Sequence, residues 1–234
     1  MSEKAKQAAA LAALELVEDG MTIGLGTGST TAYFIEALGR RVKEGLRIKG
    51  VPTSYQAYLK AIESGIPLTT LEEAVELDLA VDGADEVDEN LNLIKGMGAA
   101  LAREKVVDSA AKRLIIVVDE SKVVKRLGET KPVPVEVLPF AQRYVSRKLK
   151  ELGGEPKLRL AGEVKDGPVV TDNGNFIIDA RFPPIEKPTE LEQSIKRLPG
   201  VVEVGIFVNM VDVVYVGSTS GVVKKLVKGK SLES

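Results

Sequence analysis

Cysteine and histidine are both missing from the 234 residues of this chain, and so is tryptophan. Without cysteine there is no disulfide and no thiolate nucleophile, and without histidine there is no Ser-His or Cys-His dyad. Zinc sites built on these two residue types are excluded for the same reason. Any acid-base chemistry must therefore use carboxylates, lysine, tyrosine or backbone groups.

An excess of one charge is also missing, since 32 Lys and Arg residues and 34 Asp and Glu residues give a formal net charge of -2. No basic block of the kind that follows a phosphodiester backbone is present, so we expect no nucleic-acid partner. No apolar run approaches the roughly 20 residues that cross a bilayer. The segment Met1–Ala13 carries Glu3, Lys4 and Lys6 among alanines, unlike a secretion signal or a transit peptide. We therefore expect no membrane association and a cytoplasmic location.

Strands and helices alternate in the first half of the chain. Apolar residues at helical spacing in Ala5–Glu18 predict a helix that Asp19-Gly20 ends. Apolar runs bounded by turn residues predict strands, with helical segments between them. The predicted strands are 21–25, 47–52, 79–81 and 114–118, and the predicted helices between them are 31–38, 54–64 and 98–112. This alternation is typical of the α/β class and predicts a doubly wound, mostly parallel, Rossmann-like sheet.

The pattern changes from Pro132 onward. The predicted order there is strand 133–137, helix 140–152, strand 156–161, two strands within 167–182 joined through Asp172-Asn173-Gly174, helix 188–198 and strand 201–207. This order approximates β-α-β-β-α-β and predicts a smaller, inserted α+β domain of the ferredoxin-like type. A strand over 212–216 and a basic closing helix over 221–228 would then return to the first domain. We expect a Rossmann-like catalytic domain of residues 1–131 and 208–234, with residues 132–207 inserted.

The turn Gly26-Thr27-Gly28-Ser29-Thr30 stands where a predicted strand meets a predicted helix. Backbone N–H groups and hydroxyls converge there on the positive end of the helix dipole, which favours a phosphate. The turn matches neither the dinucleotide fingerprint nor the P-loop, which argues against both classes of ligand. The alternative is that the two glycines permit a tight turn and that Ser29 or Thr30 caps the helix.

The acidic run Asp82-Gly83-Ala84-Asp85-Glu86-Val87-Asp88 follows another predicted strand. Ligands of open α/β sheets bind at the carboxyl ends of strands, so Asp82 and Asp85 could place two carboxylates in one crevice for acid-base work. A solvated acidic loop and a divalent-cation site are the alternatives. Calcium loops need acids at alternate positions and a distant Glu, which disfavours the cation site.

A glycine-rich segment, Lys95-Gly96-Met97-Gly98, precedes a predicted helix that carries Glu104. Its glycines let the backbone approach a ligand, and its N–H groups could stabilise a developing oxyanion. Glu104 stands between Arg103 and Lys105, a pattern that is more typical of a surface charge than of a catalytic base. Two lysines, Lys6 on the first helix and Lys122 after a buried strand, could reach the same crevice or be solvated.

Taken in order, four of these motifs resemble the signature set of the ribose-5-phosphate isomerase A family. The four motifs are Gly26-Thr27-Gly28-Ser29-Thr30, Asp82-Gly83-Ala84-Asp85-Glu86, Lys95-Gly96-Met97-Gly98-Ala99-Ala100-Leu101 with Arg103-Glu104-Lys105, and Val118-Asp119-Glu120-Ser121-Lys122. The resemblance extends over essentially the whole chain, including the inserted domain. One departure is visible, because the family often has glycine where Met97 stands here.

The resemblance implies an aldose-ketose isomerase that interconverts ribose 5-phosphate and ribulose 5-phosphate in the non-oxidative pentose phosphate pathway, without a cofactor or a metal. It implies that the Thr27–Thr31 turn binds the 5-phosphate with Lys6 or Lys122, that Glu104 is the general base, and that Asp82, Asp85 and Lys95 line the sugar hydroxyls and assist ring opening. The phosphate-turn residues are Thr27, Gly28, Ser29, Thr30 and Thr31, and the further residues expected to bind substrate are Gly96, Met97 and Gly98. A sugar phosphate is then the expected partner, and a homodimer or homotetramer the expected assembly.

Two other functions remain as alternatives at this stage. A sugar-phosphate sensor domain of a transcription regulator would share the fold, but such regulators carry a DNA-binding segment ahead of the sensor, and only about 20 residues precede the first predicted strand here. A CoA-transferase with a carboxylate nucleophile would show ping-pong kinetics. Turnover of ribose 5-phosphate separates these functions from the isomerase.

Metal independence follows from the supply of ligands and gives a first prediction. A divalent ion could be bound here only by oxygen ligands, and carboxylates committed to it could not also transfer protons. We expect full isomerase activity after exhaustive chelation, measured as ketose formation from ribose 5-phosphate. Activity that disappears in chelator and returns with Mg²⁺, Mn²⁺ or Ca²⁺ would contradict the acid-base interpretation of the acidic run.

Overall fold

The computed structural model describes residues 2–228 and divides into two compact units. The first takes in the chain as far as Ala84, then Arg103–Val123 and the chain from Met210, and the second consists of Asp85–Ala102 and Val124–Asn209. The helices are α1 (Glu3–Leu14), α2 (Ser29–Lys43), α3 (Tyr55–Ser64), α4 (Leu101–Ser109), α5 (Gln142–Glu151) and α6 (Pro188–Lys196). The strands are β1 (Thr22–Leu25), β2 (Lys49–Pro52), β3 (Leu79–Asp82), β4 (Glu86–Val87), β5 (Leu93–Ile94), β6 (Leu114–Asp119), β7 (Val133–Val137), β8 (Glu155–Leu158), β9 (Phe176–Arg181), β10 (Val201–Val204), β11 (Ile206–Phe207), β12 (Val213–Gly217) and β13 (Val223–Val227).

A six-stranded sheet forms the centre of the first unit, in the order β13-β12-β6-β3-β1-β2. Every neighbouring pair is parallel except β12 and β13, which confirms the predicted mostly parallel sheet. The central strand β6 is buried along its whole length because helices cover both faces of such a sheet. On α1 the buried side chains are mainly alanines, and the helix passes so close to β12 that a Cβ on Gly217 would lie 1.9 Å from the Ala5 carbonyl oxygen.

The prediction of a basic closing helix over residues 221–228 is wrong, because the chain forms the edge strand β13 there. Hydrogen bonds from Ser218 N–H to Val222 O and from Gly221 N–H to Ser218 O make a tight turn after β12. The turn brings Val223–Val227 alongside β12 in antiparallel register. Pairing with an open sheet edge satisfies the backbone groups of this valine-containing segment and outweighs its helical pattern.

The second unit contains a four-stranded antiparallel sheet in the order β10-β7-β9-β8. With α5 and α6 it has the predicted β-α-β-β-α-β sequence of elements, and the ferredoxin-like expectation is confirmed. One face of the sheet packs against the two helices through apolar side chains. This core includes Val133, Val135, Val137, Val145, Leu149, Ile178, Ala180 and Ile195.

Two predicted strands of this region are altered in the structure. Only the second half of the 167–182 hairpin is a strand, since Val170 makes a single bridge to Phe176. The side chains of Thr171 and Asn175 donate instead to Glu136, a fully buried carboxylate on β7. The predicted strand 201–207 is divided at Gly205, where a Cβ would lie 2.4 Å from the Lys95 carbonyl oxygen.

A three-stranded sheet, β11-β5-β4, was not predicted and draws residues 85–102 into the second unit. The sequence-based boundaries place that segment, and residues 124–131 and 208–209, in the first domain. Pairing of β5 with β11 explains the difference, because contacts made through β11 connect the 85–102 segment to the chain that follows β10.

Glu86 attaches the chain between β6 and β7 to this small sheet. Its buried carboxylate accepts hydrogen bonds from the N–H groups of Gly128 (2.6 Å), Thr130 (2.6 Å) and Lys131 (2.7 Å), and from the Thr130 hydroxyl (2.7 Å). Asp88 acts similarly within the β4-β5 hairpin, accepting from the N–H groups of Asn90 and Asn92. Both acids are therefore turn-forming residues.

We predict that Glu86→Gln lowers the free energy of unfolding by about 1–3 kcal/mol, because an amide NH₂ would face a backbone donor in either orientation. Urea denaturation measures the change. Glu89→Gln, at the exposed neighbouring position, is the matched control and should be neutral. Equal stability of the two variants would show that the carboxylate charge on Glu86 does not matter.

Candidate functional site

The turn between β1 and α2 is closed by contact with Asp82 at the end of β3. A Cβ on Gly26 would lie 2.2 Å from Asp82 Oδ1, so only glycine leaves room for that carboxylate. Asp82 is fully buried, and its Oδ1 accepts from the N–H groups of Thr27 (3.1 Å) and Gly83 (2.6 Å). Two motifs selected because they follow predicted strands, the β1-α2 turn and the acidic run that begins at Asp82, are therefore in contact in the structure.

The hydroxyl of Thr27 points into a small polar network. Its Oγ1 lies 2.8 Å from Thr53 Oγ1 and donates to Ser54 Oγ at 2.5 Å. Thr53 in turn donates to the carbonyl of Leu25 at 3.0 Å. The network fixes the start of the turn to the residues that follow β2.

The N-terminus of α2 presents backbone N–H donors. Gly28 is the N-cap residue with φ of 130°, a value that favours glycine, and because it has no side chain it cannot cap the helix itself. The Gly28 N–H donates to Gln56 Oε1 (3.0 Å), and Thr31 Oγ1 donates to the Gly28 carbonyl (3.0 Å). The first N–H groups of this 15-residue helix, at Ser29 and Thr30, lie at the positive end of its dipole. The capping role considered for Ser29 or Thr30 is not seen.

The structure brings one of the two candidate lysines to the turn. Lys6 Nζ donates to Ser29 Oγ at 2.8 Å. Lys122 is half-buried in the short 3₁₀ helix Glu120–Lys122 after β6. Within residues 2–228, no hydrogen bond or ion pair connects Lys122 with the turn.

Glu104 lies on α4 and is buried, with 4% of its surface exposed. Val107 and Asp108, three and four residues further along the helix, are buried on the same side. The surface-charge pattern given by Arg103 and Lys105 was therefore misleading at this position. Burying a carboxylate is costly unless polar partners or a function require it there.

The remaining candidates belong to the second unit. Lys95 is 2% exposed, and its ammonium group lies 5.5 Å from the centre of the Phe207 ring, within cation-π range. Asp85 Oδ2 accepts the Met97 N–H at 3.0 Å. Gly96 has φ of 104°, and its carbonyl accepts the Ala99 N–H at 3.0 Å, which makes a tight turn. The Met97 side chain is 37% exposed.

Sequence reasoning missed Thr53, Ser54 and Gln56 beside the phosphate-turn candidate, and Arg159 beside the glycine-rich segment. Thr53 and Ser54 follow β2 directly, so the rule that ligands bind at strand ends could have found them. Gln56 and Arg159 carry no local signal.

The described part of the chain offers little to a metal ion. No group of three or more Asp and Glu side chains within residues 2–228 is arranged to hold one. Two of the acids considered as ligands, Glu86 and Asp88, already accept backbone N–H groups. Within the same residues, no helix is long and apolar enough to span a membrane.

Comparison with known proteins gives the family. Residues 49–221 match the family described as ribose 5-phosphate isomerase A (phosphoriboisomerase A). The ribose-5-phosphate isomerase A of Thermosynechococcus vestitus is 59% identical over 91% of this chain and 90% of its own length. That of Pyrococcus abyssi is 56% identical over 94% of this chain and 96% of its own length.

Solved structures agree with the sequence comparison. Ribose 5-phosphate isomerase A of Methanocaldococcus jannaschii superposes with a TM-score of 0.92 at 53% identity, over 97% of this chain and 99% of that one. A D-ribose-5-phosphate isomerase in complex with phospho-erythronic acid superposes with a TM-score of 0.94 at 52% identity, with the same coverage. By sequence and by fold, the chain belongs to the ribose-5-phosphate isomerase A family, whose reaction is the aldose-ketose isomerisation of ribose 5-phosphate.

Proposed function

We propose that Glu104 is the general base, lifting the proton from C2 of ribose 5-phosphate and returning it to C1 through an enediolate. The burial of its carboxylate is the observation that carries this proposal. A chain without histidine and cysteine must take its base from carboxylates, lysine, tyrosine or backbone groups, and a base shielded from water returns the proton to substrate rather than to solvent.

The β1-α2 turn is the proposed binding site for the 5-phosphate. The N–H groups of Ser29 and Thr30 supply a helix N-terminus for the anion, and Lys6 adds a positive charge 2.8 Å from Ser29 Oγ. Thr27, Gly28 and Thr31 shape the turn, and Lys122 is a second proposed cation. The phosphorylated acid bound by a relative of 52% identity supports a ligand of this class.

The remaining candidate residues are assigned to contacts with the sugar oxygens. We assign ring opening and hydroxyl contacts to Asp82, Asp85 and Lys95. The N–H groups of the Gly96–Gly98 segment are the proposed donors to the enediolate oxygen, where charge develops in the transition state. The Met97 N–H already donates to Asp85 Oδ2, so within this segment we assign the contact with the enediolate oxygen to the N–H groups of the flanking glycines.

Neither a cofactor nor a metal takes part in this scheme, because a carboxylate, a lysine and backbone amides supply every proton transfer and the charge stabilisation. We further propose a cytoplasmic homodimer or homotetramer with a sugar phosphate as its ligand. Exposed apolar side chains at helical spacing on α3 support self-association: Tyr55, Tyr58, Leu59 and Ile62.

Glu104→Gln keeps the shape of the side chain and removes its ability to accept a proton. We expect kcat to fall by roughly 10²–10⁴-fold with KM little changed, measured by steady-state turnover of ribose 5-phosphate. Glu63→Gln on the exposed side of α3 is the control and should retain normal turnover. A mild effect of Glu104→Gln, together with a severe effect of Asp82→Asn or Asp85→Asn, would move the base to the aspartates.

Lys6→Met tests the phosphate site separately from the chemistry. Loss of a charge-assisted contact worth about 1.5–3 kcal/mol should raise KM for ribose 5-phosphate roughly 10- to 100-fold and weaken inhibition by inorganic phosphate equally. Lys4→Met, an exposed lysine of the same helix, is the matched control. Unchanged phosphate inhibition in Lys6→Met would exclude Lys6 from the anion site.

A further inference from the structure

Arg159 connects the inserted domain with the glycine-rich segment. Its Nη1 donates to the carbonyl oxygens of Gly96 (2.9 Å) and Met97 (3.0 Å). Its Nε and Nη2 donate to the two carboxylate oxygens of Asp179, at 2.8 Å and 2.5 Å. One guanidinium therefore spans two successive peptide groups and one carboxylate.

The sheet of the inserted domain holds this pair rigidly. Arg159 directly follows β8, and Asp179 lies on β9 between Ile178 and Ala180, which belong to the apolar core. Because side chains alternate across a strand, Asp179 projects from the opposite face. Only 12% of the Arg159 side chain and 19% of the Asp179 side chain are exposed, so water screens this ion pair weakly.

The glycine-rich segment lies against that same face. Pro134 is paired in register with Asp179, and a Cβ on Gly96 would lie 3.2 Å from the Pro134 Cβ. The Lys95 N–H donates to the carbonyl of Gly205, whose own N–H donates to Pro134. The segment thus rests on the polar side of the sheet, opposite the helices.

Planarity of the peptide bond gives these contacts a chemical consequence. In a trans peptide the C=O and the following N–H point in opposite directions. Holding the Met97 carbonyl therefore fixes the direction of the Gly98 N–H, and holding the Gly96 carbonyl fixes that of the Met97 N–H. The Met97 N–H donates to Asp85, so that peptide is fixed at both ends.

We propose that Arg159, oriented by Asp179, is a positioning residue that aims and polarises the Gly98 N–H as a donor to the enediolate oxygen. The guanidinium charge on the Met97 carbonyl draws electron density through the peptide and makes the Gly98 N–H a stronger donor. This role rests on the proposed function of the Gly96–Gly98 segment. It gives the inserted domain a part in the reaction, namely to hold the backbone donor in place before substrate binds.

Arginine is required by this geometry. Its planar fork binds the carboxylate through two nitrogens while the third contacts the carbonyls, whereas a lysine ammonium cannot span both. Arg159→Lys should therefore recover little of the lost function.

The test compares a ligand that resembles the enediolate with one that occupies the phosphate site alone. In Arg159→Met we expect kcat to fall roughly 10- to 100-fold with KM for ribose 5-phosphate within about twofold, since a misplaced donor weakens only the transition state. Affinity for phospho-erythronic acid, whose carboxylate resembles the enediolate oxygens, should fall by a similar factor. Inhibition by inorganic phosphate should be unchanged.

Arg126→Met removes an arginine from the exposed ion pair with Glu186 in the same unit and should leave all four quantities unchanged. Asp179→Asn keeps an acceptor for Arg159 and should show the same pattern with a smaller loss, which provides a second reading if Arg159→Met folds poorly. Normal kcat in both variants, or parallel losses of affinity for both ligands, would overturn the positioning role. Because Glu104→Gln and wild-type turnover test the isomerase mechanism independently, failure of this inference would leave that mechanism intact.

Discussion

Carboxylates that accept backbone N–H groups hold the turns on which both units depend. Asp82 closes the turn after β1, Glu86 fixes the segment before β7, and Asp88 closes the β4-β5 hairpin. Each carboxylate accepts hydrogen bonds from backbone N–H groups that lie beyond the strand ends and would otherwise need water as their partner. The chain thus uses one run of acids for two purposes: all four accept backbone N–H groups, and Asp82 and Asp85 are in addition the candidates for contact with substrate.

Much of the fold could be predicted from the sequence because its signals are local. Alternating apolar strands and amphipathic helices gave the parallel sheet, and the β-α-β-β-α-β order gave the inserted domain. The errors arose where distant contacts decide the outcome. Residues 221–228 have a helical pattern, yet the open edge of β12 captures them, and the division at Gly205 depends on the Lys95 and Pro134 backbones more than 70 residues away in sequence.

The candidate site shows the same distinction. Strand-end reasoning selected the β1-α2 turn and Asp82 as candidates, since glycines and acids after apolar runs are visible in one sequence. It could not show that Glu104 is buried, because the surrounding charges describe a surface helix. Arg159 gave no signal at all, because its partners at Gly96 and Met97 are about 60 residues away and are backbone oxygens, which carry no sequence identity.

The edge strand β13 has a consequence for the behaviour of the protein at high concentration. An uncovered sheet edge is a template on which other chains can add strands and aggregate. Lys224 and Lys225 lie exposed in the middle of β13, and lysines on an edge strand disfavour pairing with another strand. At the other edge, Gly50 on β2 is hydrogen-bonded on its outer side to Pro67 and Thr69. One edge of the sheet thus carries charge and the other is hydrogen-bonded to its own chain, and both arrangements oppose the addition of a further strand.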